Sequence, residues 1–227
     1  MASREPAGAS QEGFVDRVAP GRFALRGLGN LGTRAASEDI ALAVGALLAG
    51  EPHRIAYKTA LDYHGLILHP VRRIQVAAER RVQVTRLSGR PLQVVREPAM
   101  TIRIGAEEAA AGAWVSGHER ALLDAATRVD LIDGVAVLAE ALQARPANAA
   151  RLQELAVQLD AMAALRRIGS LADVLEAPGL ARELERPSRG GTIWLDPNEE
   201  RVPMWRDHRW SVEWNRPPDE VVAMTKT

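Results

Sequence analysis

The spacing of hydrophobic residues changes twice along this 227-residue chain, and that alternation constrains the fold more than any other feature. Ile40, Ala43, Val44, Leu47 and Leu48 recur at the spacing of one helix face, opened by Ser37 and closed by Gly50 and Pro52. Tyr57, Leu61 and His64 share the face of a second helix, which Gly65 stops by supplying the left-handed position after its end. The period then drops to two. Val71–Ala77, Val82–Leu87, Leu92–Val95 and Thr101–Ile104 are short, β-branched and separated by turn residues such as Ser88-Gly89, and Val82 and Val84 alternate with Arg81, Gln83 and Thr85.

Helical spacing returns at Ser116. Ser116 and Glu119 have the spacing of a capping box, with Leu122, Ala125 and Val129 on one face behind it. Further helices are expected from Asp133 through Leu142, from Asn148 with Leu152, Leu155, Ala156 and Leu159 on one side, and around Leu171, Val174 and Leu175. The chain ends in strands, at Thr192–Leu195 and where Trp210, Val212 and Trp214 alternate with Ser211 and Glu213. Near the start, Phe14–Val18 and Arg22–Arg26 read as a hairpin joined at Pro20-Gly21, after twelve residues of disordered composition. The expected class is α+β: a hairpin module, a small basic sheet, a helical half and C-terminal strands.

Charge sharpens this reading. The chain is neutral overall, yet Val71–Ile104 holds eight arginines against two acids, a net +6, while residues 105–227 hold fourteen basic and twenty acidic side chains, a net −6. A polyanion would meet one region and avoid the other. There is no cysteine, so disulfides and thiolate metal sites are excluded. The longest apolar run, Ile40–Ala49, is about half a membrane span and no apolar leader opens the chain, so a cytoplasmic location is expected.

Catalytic motifs are weak. Gly27-Leu28-Gly29-Asn30-Leu31-Gly32 spells G-x-G-x-x-G with Glu51 further on, but the strand before it alternates and carries Arg22, whereas a dinucleotide-binding strand is continuously apolar. A linker fits better. His53, His64 and His69 have no carboxylate or third imidazole at ligand spacing, so structural roles are expected and no metal or cofactor. No nucleophile triad, P-loop or paired-carboxylate pattern is present, and a non-enzymatic protein is expected.

Three stretches carry a resemblance: Tyr57-Lys58-Thr59-Ala60-Leu61-Asp62-Tyr63-His64-Gly65-Leu66, Glu119-Arg120-Ala121-Leu122-Leu123-Asp124, and Leu165-Arg166-Arg167-Ile168-Gly169 followed by Leu195-Asp196-Pro197 and Trp210-Ser211-Val212-Glu213-Trp214-Asn215. In order and spacing they resemble the antitoxins of the AbiEi family across residues 14–216. The resemblance implies an antitoxin that represses its own operon and counteracts a nucleotidyltransferase toxin encoded nearby. It makes Gly13–Gly27 the wing of a winged helix whose helix-turn-helix is not found in the residues ahead of it, so residues 13–35 are expected to be a wing-like remnant and linker. Residues 36–216 are expected to form the antitoxin domain and 217–227 a tail.

On this reading operator phosphates meet Arg17, Arg22 and Arg26 on the wing and Arg72, Arg73, Arg80, Arg81, Arg86 and Arg90 on the sheet, and two copies on an inverted repeat would raise specificity. Glu119, Arg120 and Asp124, with Trp210 and Trp214 from the tryptophan-rich end, are expected to belong to the family motif or a partner surface. The competing expectation is a protein-interaction module without specific DNA binding that neutralises or chaperones a partner toxin.

Overall fold

The computed structural model describes residues 15–19, 22–25, 37–175, 177–185 and 190–225. Residues 1–12, the Pro20-Gly21 link, Arg26 and the glycines of 27–32 lie outside them. The chain divides into two compact units: residues up to Thr59 with Val71–Ser116, and Ala60–Pro70 with Gly117 onward. Residues 36–216 run through both units.

In the first unit, β1 (Val15–Ala19) and β2 (Arg22–Leu25) form the expected antiparallel hairpin, which lies against α1 (Ser37–Leu47). The α1 stripe is buried at each expected position from Ile40 to Leu48, and Gly50 takes the positive φ that ends the segment. Then come β3 (His53–Ile55), α2 (Tyr57–Tyr63), β4 (Ile74–Ala78), β5 (Arg86–Leu87), β6 (Arg90–Arg96), α3 (Ala99–Ile102), β7 (Ala106–Glu108) and, after a 3-10 turn at Ala110–Gly112, β8 (Trp114–Ser116). Among the described residues these strands make a six-stranded mixed sheet ordered β5-β6-β4-β3-β8-β7. Its centre, β3 and β4, is buried at every position.

Two expectations change here, and one strand is added. The sequence around His53-Arg54 does not read as a strand, yet it is the centre of the sheet, because the fully buried Arg54 guanidinium is matched by the Glu97 carboxylate at 2.7 and 2.9 Å and by Ser116 Oγ at 3.0 Å. Tyr57 adds a third contact, its hydroxyl donating to Glu97 at 2.7 Å. Thr101–Ile104, expected extended, starts inside the helical turn α3: the Pro98 carbonyl accepts the Thr101 N–H at 3.0 Å and its hydroxyl at 2.9 Å, and the turn buries Ile102. Of Val82–Leu87 only Arg86–Leu87 pairs in a ladder; the expected alternation survives as half-buried Val82 and Val84 between exposed neighbours.

The chain leaves the first unit inside α2. Its stop is a Schellman pair, with the Leu66 N–H on the Leu61 carbonyl at 2.9 Å and the Gly65 N–H on the Asp62 carbonyl at 3.0 Å, and Gly65 at φ +66°. The second unit continues with α4 (His118–Thr127), α5 (Val135–Ala144), α6 (Ala149–Gln158), α7 (Met162–Val174) and α8 (Pro178–Glu183). Strands β9 (Ile193–Trp194), β10 (Trp205–Asp207) and β11 (Val212–Trp214) then form a small sheet ordered β10-β11-β9, and α9 (Pro218–Met224) ends it, giving the expected tail a helix with Val221 buried.

The capping box is not formed. Ser116 closes β8 and serves Arg54, Gly117 occupies the cap position with no side-chain bond, and the Glu119 carboxylate instead takes the Asn148 N–H at 3.0 Å. Asn148 caps α6 as expected, accepting the Arg151 N–H at 3.0 Å. The helix read as a short one near Leu171 runs from Met162, and two of its arginines hold the C-terminal strands. Arg166 donates to the carbonyls of Trp210 and Gly191 at 2.7 and 2.8 Å and to that of Ser211; Arg167 donates to those of Trp194 and Ala126 at 2.9 and 3.0 Å. Gly169, one turn on, lets the Trp210 ring lie directly on α7.

Candidate nucleic-acid interface

The arginines of the basic sheet do not form one surface. β4 and β6 run parallel, with Ile74 beside Leu92 and Ala78 beside Arg96. Arg72 and Arg90 each stand two residues before the first of those pairs, and β5 sets Arg86 beside Pro91. Arg72, Arg73, Arg86 and Arg90 therefore gather at one corner, at the free edge of the sheet. Arg80 and Arg81 leave the opposite end of β4, whose five residues span about 17 Å.

Few of these arginines meet an acid. Among the described residues, no carboxylate lies within ion-pair reach of Arg72, Arg73, Arg81, Arg86 or Arg90. Arg73 donates to the Gln93 side chain at 3.4 Å and Arg86 to the Gly89 carbonyl, both neutral acceptors. Arg80 alone of the six meets an acid, Glu51, at 3.4 Å. In the second unit several arginines are neutralised: Arg128 by Asp130 and Arg209 by Asp173 at 2.7 and 2.8 Å, Arg151 by Glu154 at 2.6 Å, and Arg216 by Glu199 and Glu220, which raise its pKa. A fixed positive field is thus left at the β5 corner.

On the hairpin, Arg17 registers opposite Phe23 and Arg22 opposite Ala19. The side chains of these two, and Arg26 as a whole, lie outside the described residues.

The residues expected at a partner surface sit elsewhere. Arg120 and Asp124 are buried on α4 and joined at 2.7 Å one turn apart. Trp210 and Trp214 are buried too. The Trp210 indole N–H donates to Asp173 at 2.7 Å, and that of Trp214 to Ser170 Oγ at 2.9 Å, whose hydroxyl donates to Asp207 at 2.6 Å. These four side chains are buried, and these bonds of their polar atoms stay within the second unit. Glu119, half-buried, is occupied by Asn148. Exposed instead are Val202, Met204 and Trp205, the last edge-on to Trp214 at 5.3 Å. The sequence signal for that strip was the tryptophan density, without the means to say which rings face out.

His53 and His118 are buried. His53 Nδ1–H donates to the Glu51 carbonyl at 2.8 Å, and burial lowers the pKa of both His53 and His118. The rings of His64 and His118 are 6.4 Å apart, and no cluster of three or more His, Asp or Glu suited to a metal occurs among the described residues. No helix among them is long and apolar enough to cross a membrane.

Comparison with known proteins adds two findings. Residues 32–174 match the model of the AbiEi antitoxin C-terminal domain. Among solved structures, the chain is similar to the RV2827C protein from Mycobacterium tuberculosis, with a TM-score of 0.55 and 17% identity over 99% of this chain and 83% of that one, a likeness of fold. No curated protein matches.

Proposed function

Because the chain belongs to the AbiEi antitoxin family, we propose that this antitoxin binds the operator of its own gene as a transcriptional repressor and counteracts a nucleotidyltransferase toxin encoded beside it. The observation that carries the DNA-binding part is the strand register that sets Arg72, Arg73, Arg86 and Arg90 at one corner of the sheet, with no carboxylate in ion-pair reach of them among the described residues. Phosphate oxygens accept from the guanidinium fork in pairs, and each phosphate neutralised releases condensed counterions. Arg17, Arg22 and Arg26 of the expected wing are further proposed phosphate contacts. Arg80 and Arg81, at the far end of β4, are left out of it. Binding by two copies on an inverted repeat would join two such corners.

The test is fluorescence anisotropy of labelled DNA from immediately upstream of the gene, at several salt concentrations. Changing all four corner arginines to glutamine should reduce the slope of log K against log salt by up to about 3.6, from about 0.9 per phosphate contact. Binding no tighter than to random DNA, or a slope untouched by the four changes, would overturn the repressor reading. A second reading, an interaction module that holds the toxin without reading DNA, is favoured by the exposed strip Val202, Met204 and Trp205, since an apolar patch beside a buried indole suits a protein partner. Loss of toxin co-purification on changing Met204 and Trp205 to serine, with operator binding absent in the parent, is its signature.

A further inference from the structure

The arginines at the other end of β4 border a cleft of about 310 Å³ that neither reading uses. The end of α1 and the turn after it supply Leu47, Leu48 and Pro52, and the connection leaving β4 supplies Val82 and Val84. Arg80 and Arg81 stand at its border with one acid, Glu51, so its lining carries two cations to one anion. Arg80 holds Glu51 only at 3.4 Å with three quarters of its side chain exposed, and Arg81 has no partner among the described residues. The volume is at the low end of the roughly 300–1,000 Å³ of ligand pockets, room for one or two apolar side chains.

The backbone adds a third property. Among the described residues, the N–H and C=O groups of 81–84 make no hydrogen bond; the ladder begins beyond them, where the Thr85 carbonyl accepts the Leu92 N–H at 2.8 Å. Free main-chain donors and acceptors beside an apolar slot with a cationic border match one kind of occupant: an extended chain that supplies its own main-chain partners, an apolar side chain for the slot and a carboxylate for the arginines. DNA gains nothing from leucines and valines. A free organic anion leaves the backbone of 81–84 unsatisfied.

We propose that this cleft is a docking site for an extended, acidic peptide segment of a partner protein, seated along residues 81–84 with a leucine-like side chain among Leu47, Leu48, Val82 and Val84. The site is separate from the β5 corner and stands whether or not that corner binds operator DNA.

The experiment uses the full chain and the fluorophore-labelled peptide acetyl-Asp-Leu-Glu-Leu-Asp-Leu-Glu, read by anisotropy. Saturable binding in the range of about 10–100 µM is expected, weakened about tenfold by Arg80→Glu with Arg81→Glu, the loss and reversal of two exposed charge contacts. The same peptide methylated on alternate backbone nitrogens should bind more weakly by about the same factor, and this arm needs no change to the protein. Arg86→Gln with Arg90→Gln should leave peptide binding unchanged, and a short DNA duplex should not displace the peptide. The circular dichroism and urea midpoint of the doubly charge-reversed chain should match the parent. No saturation by about 1 mM, equal binding of the counterpart with lysine at each acidic position, or indifference to backbone methylation would each overturn the proposal. So would sedimentation equilibrium in which the parent dimerises, the charge-reversed chain does not, and the peptide dissolves the dimer, because the occupant would then be a second copy.

Discussion

Two glycines, ten residues apart, should respond to the same substitution with opposite signs. Gly169 lies within α7, and a Cβ built on it falls 2.5 Å from Cε2 and Cζ2 of Trp210 and 2.6 Å from Cδ2, where carbon atoms normally stand about 3.5–4.0 Å apart. The ring has little freedom to retreat. Its N–H is held by Asp173 at 2.7 Å, its backbone N–H by Asp207 at 3.1 Å, and its carbonyl by Arg166 at 2.7 Å. Overpacking of this kind costs about 1–3 kcal/mol, and shifting the ring off Asp173 adds about 1 kcal/mol. Against this, alanine is better than glycine in a helix by about 1 kcal/mol.

Gly169→Ala should therefore destabilise by about 1–3 kcal/mol. Gly179, exposed in α8 with nothing within 4 Å of its built Cβ, has only the propensity gain, and Gly179→Ala should stabilise by about 0.5–1 kcal/mol. Urea unfolding followed by tryptophan fluorescence is the assay, with both variants compared at fixed slope. A neutral or stabilising Gly169→Ala would refute the packing of Trp210 on α7. Destabilisation by both would show that α8 does not hold its glycine in helical conformation.

Glu97→Gln should cost about 3 kcal/mol, since it leaves the Arg54 guanidinium buried without its counter-charge; Arg54→Met added to it should recover part of the loss, and urea midpoints of the three variants decide this. Asn148→Ala removes the acceptor of the Arg151 N–H and should lower stability by about 1 kcal/mol in the same assay. Burial first, then Arg145 and His64 against Glu119, holds the His118 imidazole below its ordinary value, and burial and Arg103 do the same for His53 against its bond to Glu51. The unfolded chain thus takes up protons near pH 6.5 that the folded chain refuses, so stability should be full above that pH and fall as the pH drops below it. His118→Gln should flatten the decline, and an unchanged slope between pH 7 and 5 would remove His118 as its source.

Local signals determined much of this protein from the sequence alone. The stripe from Ile40 to Leu48, the Gly65 stop, the Asn148 cap and the apolar run entering β4 all appear where spacing and residue type put them, and they are enough for the α+β class. Each depends on neighbours within about a turn of chain, which a sequence displays directly. What the tertiary structure decided rests on partners far along the chain. Arg54 enters the centre of the sheet only because Glu97, forty-three residues away, meets it there. Ser116 and Glu119 have capping-box spacing, but Arg54 and Asn148 claim them first. Trp210 and Trp214 turn inward because α7 offers Asp173, Ser170 and the missing side chain of Gly169. The parallel pairing of β4 with β6 divides one run of basic sequence between two places, a corner beside β5 and the border of a cleft. Charge along a chain counts residues, whereas a site needs them at one place, and strand register alone assigns that place.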